Sequence, residues 1–201
     1  MERIDAGLMR SSVRRALADN LSYEDVVNKG LSRGIIALGS RFDRGEVFLP
    51  QLLVAAKLMD EALDTLEPLC SGEDRFCNGT VVMGTVSGDI HEIGKNVCCA
   101  MLRAAGYRVI DLGSDVSPEE FVKASKEYEA DVIGGSALMT TTLLNQKRVM
   151  MAVREEGSTA LCIFGGAPCT PEWVESIGAD GYSASGSEIV ALVARLLERT
   201  P

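Results

Sequence analysis

Histidine is almost missing from this chain: among 201 residues there is one, His91. A zinc site wants about four donors, and the six cysteines (Cys70, Cys77, Cys98, Cys99, Cys162 and Cys169) form no CxxC pair that would complete one. They read as buried, reduced thiols of an intracellular protein, with Cys169 set apart by its place in a loop. Runs of Lys and Arg are missing too, and a formal charge of −9 argues against nucleic acid or an anionic membrane surface as the main partner. No apolar run reaches the roughly 18 residues of a spanning helix, and no signal peptide opens the sequence, so the expected location is the cytoplasm. Aromatic residues are few, at 5%, whereas glycine is abundant, at 20 residues. That balance suits an α/β fold, whose tight turns and close backbone approaches need residues without side chains.

The pattern changes near residue 75, dividing the chain into a helical region, 1–75, and an α/β region, 76–201. In the first, "YEDVVNKGLSRGIIALGSRF" sets Val27, Leu31, Ile35, Leu38 and Phe42 at helical spacing. Ser22 stands as an N-cap with Asp25 at the third helical position, a weak capping box. "RGEVFLPQLLVAAKLMDEALDTLEPL" restarts the count, with Pro50 in a first turn, where a missing N–H costs little. Leu52, Leu53, Ala56, Met59, Leu63 and Leu66 continue its buried face. With an earlier helix around residues 5–18, these segments predict a bundle of about four helices. Residues 70–79, "CSGEDRFCNG", are polar and aperiodic, as a linker is.

From Thr80 onward the period switches. Short apolar runs, "TVVMGTV", "YRVIDLG", "ADVIGGSAL", "ALCIFGG" and "DGYSA", alternate with helical segments starting near Lys95, Pro118, Thr142, Pro171 and Gly186. Strict alternation predicts a doubly wound, five-stranded parallel sheet with helices on both faces, Rossmann-like or flavodoxin-like. Ligands of such sheets sit outside the carboxyl ends of the strands. That rule points to three loops, "SGDIHEIG", "GGSALMTTT" and "GGAPCT".

His91 lies in the first of these loops. Asp89, two residues earlier, can accept a hydrogen bond from the imidazole and orient its other nitrogen outward, and Gly88 and Gly94 leave the backbone free to approach something large. On these residues alone, His91 is either a hydrogen-bonded surface residue or the single axial ligand of a metal that arrives already coordinated. Haem and corrin both meet the second description. The small residues at Gly134-Gly135-Ser136 and Gly165-Gly166-Ala167, with Gly84 beneath the first loop, leave room for a narrow slot at the sheet edge. A corrin's nucleotide arm would fill it, and haem has no such arm; the same glycines also serve tight turns and helix packing.

"GDIHEIGKN" resembles the D-x-H-x-x-G signature of cobalamin-binding domains. "SAL" followed by "TTT", and "GG" after the fourth strand, are similar to that family's second and third signatures in order and approximate spacing. Upstream, "GSRFDRGEVFLPQLLVAAKLM" resembles the helical cap module that precedes the cobalamin domain in methionine synthase and in the small corrinoid proteins of anaerobic methyltransferase systems. The likeness therefore spans nearly the whole chain. It implies cobalamin, methylcobalamin in its loaded form, as cofactor. Its own base would be displaced and its nucleotide arm would lie beside Ser136, Leu138, Gly165 and Gly166, with Glu92, Ile93, Gly94 and Thr140 among the contacts. His91 would be the cobalt ligand and Asp89 its hydrogen-bond partner. Thr142 matches a relay serine, retaining the hydroxyl with a methyl that restricts its rotamer. Phe42 and Leu49, with Leu52 nearby, match cap positions over the upper face of the corrin; by periodicity alone they serve equally as bundle core.

The resemblance further implies a methyl carrier that does not turn over alone, since the sequence holds no zinc site, no further glycine-rich phosphate motif and no iron-sulfur spacing. Its partners would be a donor-side methyltransferase, an acceptor-side methyltransferase and a reductive activator of the corrinoid. The donor would be a methoxyarene, methylamine or methanol, and the acceptor tetrahydrofolate or a thiol. The linker at 70–79 would be the hinge on which the cap moves, and the acidic surface would steer docking. The alternative is a cobalamin-sensing regulatory module. It fits less well with an acidic chain that begins almost directly with the cap. A mutase subunit would generally lack the cap, and a flavodoxin-like domain without cobalamin would leave all three signatures as coincidence.

Overall fold

The structure, a computed structural model, describes residues 5–22, 25–66 and 78–198. Helix α1 (Ala6–Ala18) opens on Asp5, whose side chain accepts from the Leu8 amide at 2.9 Å. Ser22 Oγ accepts from the Asp25 amide at 3.1 Å, while the Asp25 carboxylate pairs with Lys29 at 2.6 Å, so the serine half of the expected capping box forms. A π-helical segment, Asp25–Leu31, runs directly into α2 (Ser32–Asp43), and α3 (Leu49–Leu66) carries Pro50 in its first turn. Among the described residues the helical region thus has three α-helices, one with a π-helical lead-in. Most of the predicted linker, residues 70–77, lies outside the described residues.

The bundle core is Val27, Ile35, Leu52, Met59, Leu63 and Leu66, and it continues into Val97, Met101 and Ala104 of the next region. Leu53 is a correction: it is 37% exposed, because the buried face of α3 holds Leu52, Ala56, Leu58, Met59, Ala62, Leu63 and Leu66, and Leu53, turned about 100° from Leu52, falls outside it. The Ser32 hydroxyl donates to the Ala104 carbonyl, tying α2 to the α/β region.

The sheet has five parallel strands: β1 (Thr80–Thr85), β2 (Arg108–Asp111), β3 (Val132–Ser136), β4 (Leu161–Gly165) and β5 (Gly181–Ser183), in the order β2-β1-β3-β4-β5. Helices α4 (Ile93–Ala104) and α8 (Gly186–Leu197) cover one face through Cys99, Leu102, Ile189, Leu192 and Val193. Helices α5 (Pro118–Glu127), α6 (Leu143–Glu155) and α7 (Pro171–Ser176) cover the other through Phe121, Val149, Val153 and Val174. Right-handed crossovers on opposite faces require the chain direction across the sheet to reverse, and it does so between β1 and β3. A crevice opens at such a switch point, and the loop after β1 is the one that carries His91.

The glycines of β3 do not leave the expected slot. A Cβ at Gly134 would stand 2.2 Å from Met83 Sδ and one at Gly135 2.6 Å from Phe164 Cε1, while Gly84 is closed by Phe121. These positions lack side chains because the protein's own core fills them.

Candidate functional site

Strand β1 ends in a tight turn in which the Asp89 amide donates back to the Val86 carbonyl at 3.1 Å and Gly88 adopts a φ of 80°. The turn drops the Asp89 side chain beneath the surface, where none of it is exposed. Its Oδ1 accepts from the His91 amide at 3.0 Å and lies 2.9 Å from His91 Nδ1. Its Oδ2 accepts from the Leu138 amide at 2.7 Å, the Met139 amide at 3.3 Å and Thr142 Oγ1 at 2.7 Å. The three residues singled out for chemistry, Asp89, His91 and Thr142, are therefore brought into one hydrogen-bonded chain.

That environment fixes the charge state. Burial alone would raise the Asp89 carboxyl, but donation from the Thr142 hydroxyl, the His91 and Leu138 amides and the His91 side chain outweighs it and holds the carboxyl well below the usual range. An ionised carboxylate only accepts hydrogen bonds, so His91 Nδ1 carries the proton. In the neutral ring Nε2 then keeps its lone pair, on a side chain that is 47% exposed. Among the described residues no group of three His, Cys, Asp or Glu side chains gathers to hold a bare metal ion.

The remaining sequence-predicted residues fall along the same sheet edge. Ser136 ends β3 half-buried, in register with Thr85 on one side and Gly165 on the other, and Gly165 pairs with Ser183. This row of small residues crosses four strands at their carboxyl ends. Gly166 has a φ of 119°, and a Cβ there would stand 1.8 Å from the Ala137 carbonyl oxygen; the protein's own backbone demands glycine. Gly94 is different. It lies in the first turn of α4, and a Cβ there would meet nothing within 4 Å. Glu92 precedes α4 half-buried without a side-chain cap bond, and Thr140 is exposed. Ile90, Ile93 and Leu138 are 74%, 52% and 45% exposed, giving the edge around His91 an apolar rim of which the sequence reading had noted only Ile93 and Leu138.

In the bundle, Phe42 packs half-buried against the core, the role periodicity gave it. The side chain of Leu49 lies outside the described residues. Phe48, which the sequence reading passed over, stands 72% exposed at the head of α3. Lys95 was also missed. Its side chain is fully buried and its Nζ donates to Asp111 Oδ1 and to Asn96 Oδ1, binding the first turn of α4 to the end of β2. The polar "GKN" at the head of an otherwise apolar helix face was the available signal. Cys169 is buried, which pushes its thiol up to about 11; Cys99 and Cys162 are buried too, whereas Cys98 is half-buried. Cys70 and Cys77 lie outside the described residues.

A family model described as the B12 binding domain matches residues 79–193, and a second model of the same description matches residues 2–67. The dimethylamine corrinoid protein 3 of Methanosarcina acetivorans is 44% identical over 189 residues, covering 92% of this chain and 88% of that protein. A solved cobalamin-binding protein from Desulfitobacterium hafniense DCB-2 is similar with 30% identity and a TM-score of 0.79, over 96% of this chain and 93% of that one. The methanol:cobalamin methyltransferase complex of Methanosarcina barkeri matches with 32% identity and a TM-score of 0.76, over 88% of this chain and 68% of that one.

Proposed function

Because this chain belongs to the B12-binding domain family, we propose that it is a corrinoid methyl carrier working between a donor-side and an acceptor-side methyltransferase. The donor set suits such a cofactor: one imidazole braced through Nδ1, with no further ligands gathered around it among the described residues, fits a group that brings its own equatorial nitrogens. Gly94 supports the same fit. Glycine inside a helix costs about 1 kcal/mol relative to alanine, and no described atom lies within 4 Å of the space it leaves; a broad ligand face would use it.

Bound cobalamin supplies a cobalt centre able to accept a methyl group from one partner and yield it to another. The chain's own part is positional. His91 would offer Nε2 to cobalt in place of cobalamin's own base, and Asp89, by accepting from Nδ1–H, would make the imidazole a better donor. Thr142 and the Leu138 and Met139 amides hold Asp89 in turn. Ile90, Ile93 and Leu138, exposed around His91, would present apolar surface to the ring, with Glu92 and Thr140 at its margin. Ser136, Leu138, Gly165 and Gly166, in and beside the row of small residues at the strand ends, would receive the displaced nucleotide arm. Leu49 and Phe42 belong to the helical region 1–75, which would cap the upper face of the cofactor bound to region 76–201.

The names of similar proteins favour a methylated amine or methanol as donor class, with tetrahydrofolate or a thiol as acceptor and a separate reductive activator of the corrinoid. No described helix is long and apolar enough to cross a membrane, in keeping with a cytoplasmic carrier. The observation that carries this reading is the buried, ionised Asp89 bonded to the half-exposed His91. Loading with hydroxocobalamin, desalting and recording a visible spectrum tests binding; reduction and incubation with a methylated amine or methanol plus its methyltransferase tests carriage. A coloured protein that becomes methylated is expected, and a colourless one contradicts the proposal.

A further inference from the structure

The loop that carries His91 is held from outside. Asn145 Nδ2 donates to the Ser87 carbonyl at 2.6 Å and Thr85 Oγ1 to the His91 carbonyl at 3.3 Å. The residues between them are gripped by Asp115, in the loop joining β2 to α5. Asp115 Oδ1 accepts from the Gly88 amide at 2.6 Å, and the Asp115 amide donates to the Asp89 carbonyl at 3.0 Å. One residue thus brackets Gly88 and Asp89 with an acceptor and a donor at once.

The backbone of Asp115 is unusual in the way this grip requires. Its φ is 57°, a left-handed conformation that costs most side chains dearly and that Asp and Asn tolerate better than most. Immediately after it, Val116 pairs with Val86 in a parallel bridge, so the loop is seated against the end of β1 on both sides of the contact. Asp89 is consequently a strut. Its carboxylate is fixed by the loop after β3, through Leu138, Met139 and Thr142, and its main chain by the loop after β2, through Asp115. The direction of the His91 ring depends on both attachments, because Oδ1 of this strut is what holds Nδ1.

We infer that Asp115 is a positioning residue for His91: by clamping Gly88 and Asp89 it fixes the tautomer and aim of the imidazole. Its consequence for corrinoid binding rests on the reading of His91 as the lower ligand. Its consequence for the ring itself does not.

Three variants separate the contributions. Asp115→Asn keeps both the acceptor and the tolerance of positive φ; Asp115→Gly keeps the conformation and deletes the acceptor; Asp115→Ala, a second deletion, serves if the glycine variant is not recovered folded. In the cofactor-free protein the sole histidine gives a single set of imidazole 15N signals. These should report an Nδ1-protonated ring in the wild type and in Asp115→Asn, and a shift toward the Nε2-protonated tautomer in Asp115→Gly. In the loaded protein, titration with hydroxocobalamin should show roughly 10-fold weaker binding for Asp115→Gly, the range found when a partner of a metal ligand is removed, and a spectrum moved toward that of His91→Ala. Wild-type ring signals in Asp115→Gly or Asp115→Ala would overturn the inference. Identical loaded spectra for the wild type and His91→Ala would instead overturn the ligation reading, leaving the clamp to be decided by the ring signals.

Discussion

Thr142 Oγ1 lies 2.7 Å from Asp89 Oδ2, joining two buried residues 53 positions apart in the chain. The Met139 carbonyl, at 2.9 Å from the same hydroxyl, is a weaker claim on its one proton than an ionised carboxylate. Thr142→Val keeps the shape and removes the donor, so it should cost about 1.5–3 kcal/mol, the worth of a hydrogen bond to a charged group. Thr142→Ser should recover most of it. Denaturant unfolding of the three proteins measures the difference, and equal stability of the valine variant would show that the hydroxyl does not brace Asp89.

The Asp89 charge gives a pH dependence of definite sign. Its folded pKa lies below the ordinary 3.8, so its contribution to stability is complete above that value and is lost as pH falls through the lower, folded one. Asp89→Asn, which turns an NH2 toward donors, should therefore be less stable by about 2–3 kcal/mol in neutral solution. The gap to the wild type should hold steady down to about pH 4 and then narrow. Unfolding of both proteins on either side of 3.8 checks this; a gap that widens toward acid would mean the sign is wrong.

Two glycines near the site should respond oppositely to alanine. Gly166→Ala drives a Cβ into the Ala137 carbonyl at a φ of 119° and should cost about 3 kcal/mol or more. Gly94→Ala meets nothing and should leave the cofactor-free protein as stable as before, or up to about 1 kcal/mol more so, while retaining less cobalamin after desalting. Thermal unfolding with the visible spectrum of the loaded protein reads both effects.

Lys95 and Asp111 predict a third class of outcome. Lys95→Met removes a fully buried ammonium and leaves a carboxylate whose side chain is a quarter exposed. Because that carboxylate can recover some water, the loss should be about 1–3 kcal/mol, less than for a fully buried pair. Hydrogen exchange should quicken first at the amides of the first turn of α4, which the pair fastens to β2.

The strands and the site differ in how openly the sequence declares them. Alternation of apolar runs with helical segments is a direct signature of burial on both faces of a parallel sheet, and all five strands fall within the predicted runs. Asp89 and His91 were legible because the rule that ligands gather at strand carboxyl ends points to the loop after β1, whereas Thr142 was marked only by its match to a relay serine of the family it resembles. Of the residues expected to line a slot, Gly84, Gly134 and Gly135 do not open one. Sequence shows where side chains are missing but not which neighbour occupies the space, here Phe121, Met83 and Phe164. Leu53 misled because its apolar side chain falls on the outer side of α3, at the edge of a buried face that Leu52 faces squarely. Asp115 was invisible, and Lys95 was marked only by the polar GKN, for a related reason: a charged residue in a polar loop or helix head looks solvated until a fold brings a peptide group or a carboxylate to it.

The central claim is that the imidazole of His91 binds cobalt from below. Since the chain has a single histidine, growth on 15N-histidine labels that ring alone among histidines. Electron paramagnetic resonance of the protein loaded with cob(II)alamin then reads the axial nitrogen directly. The nitrogen splitting should change its multiplicity on labelling, because the ligand's nuclear spin has changed; splitting that stays the same would place cobalamin's own base on cobalt and contradict the account.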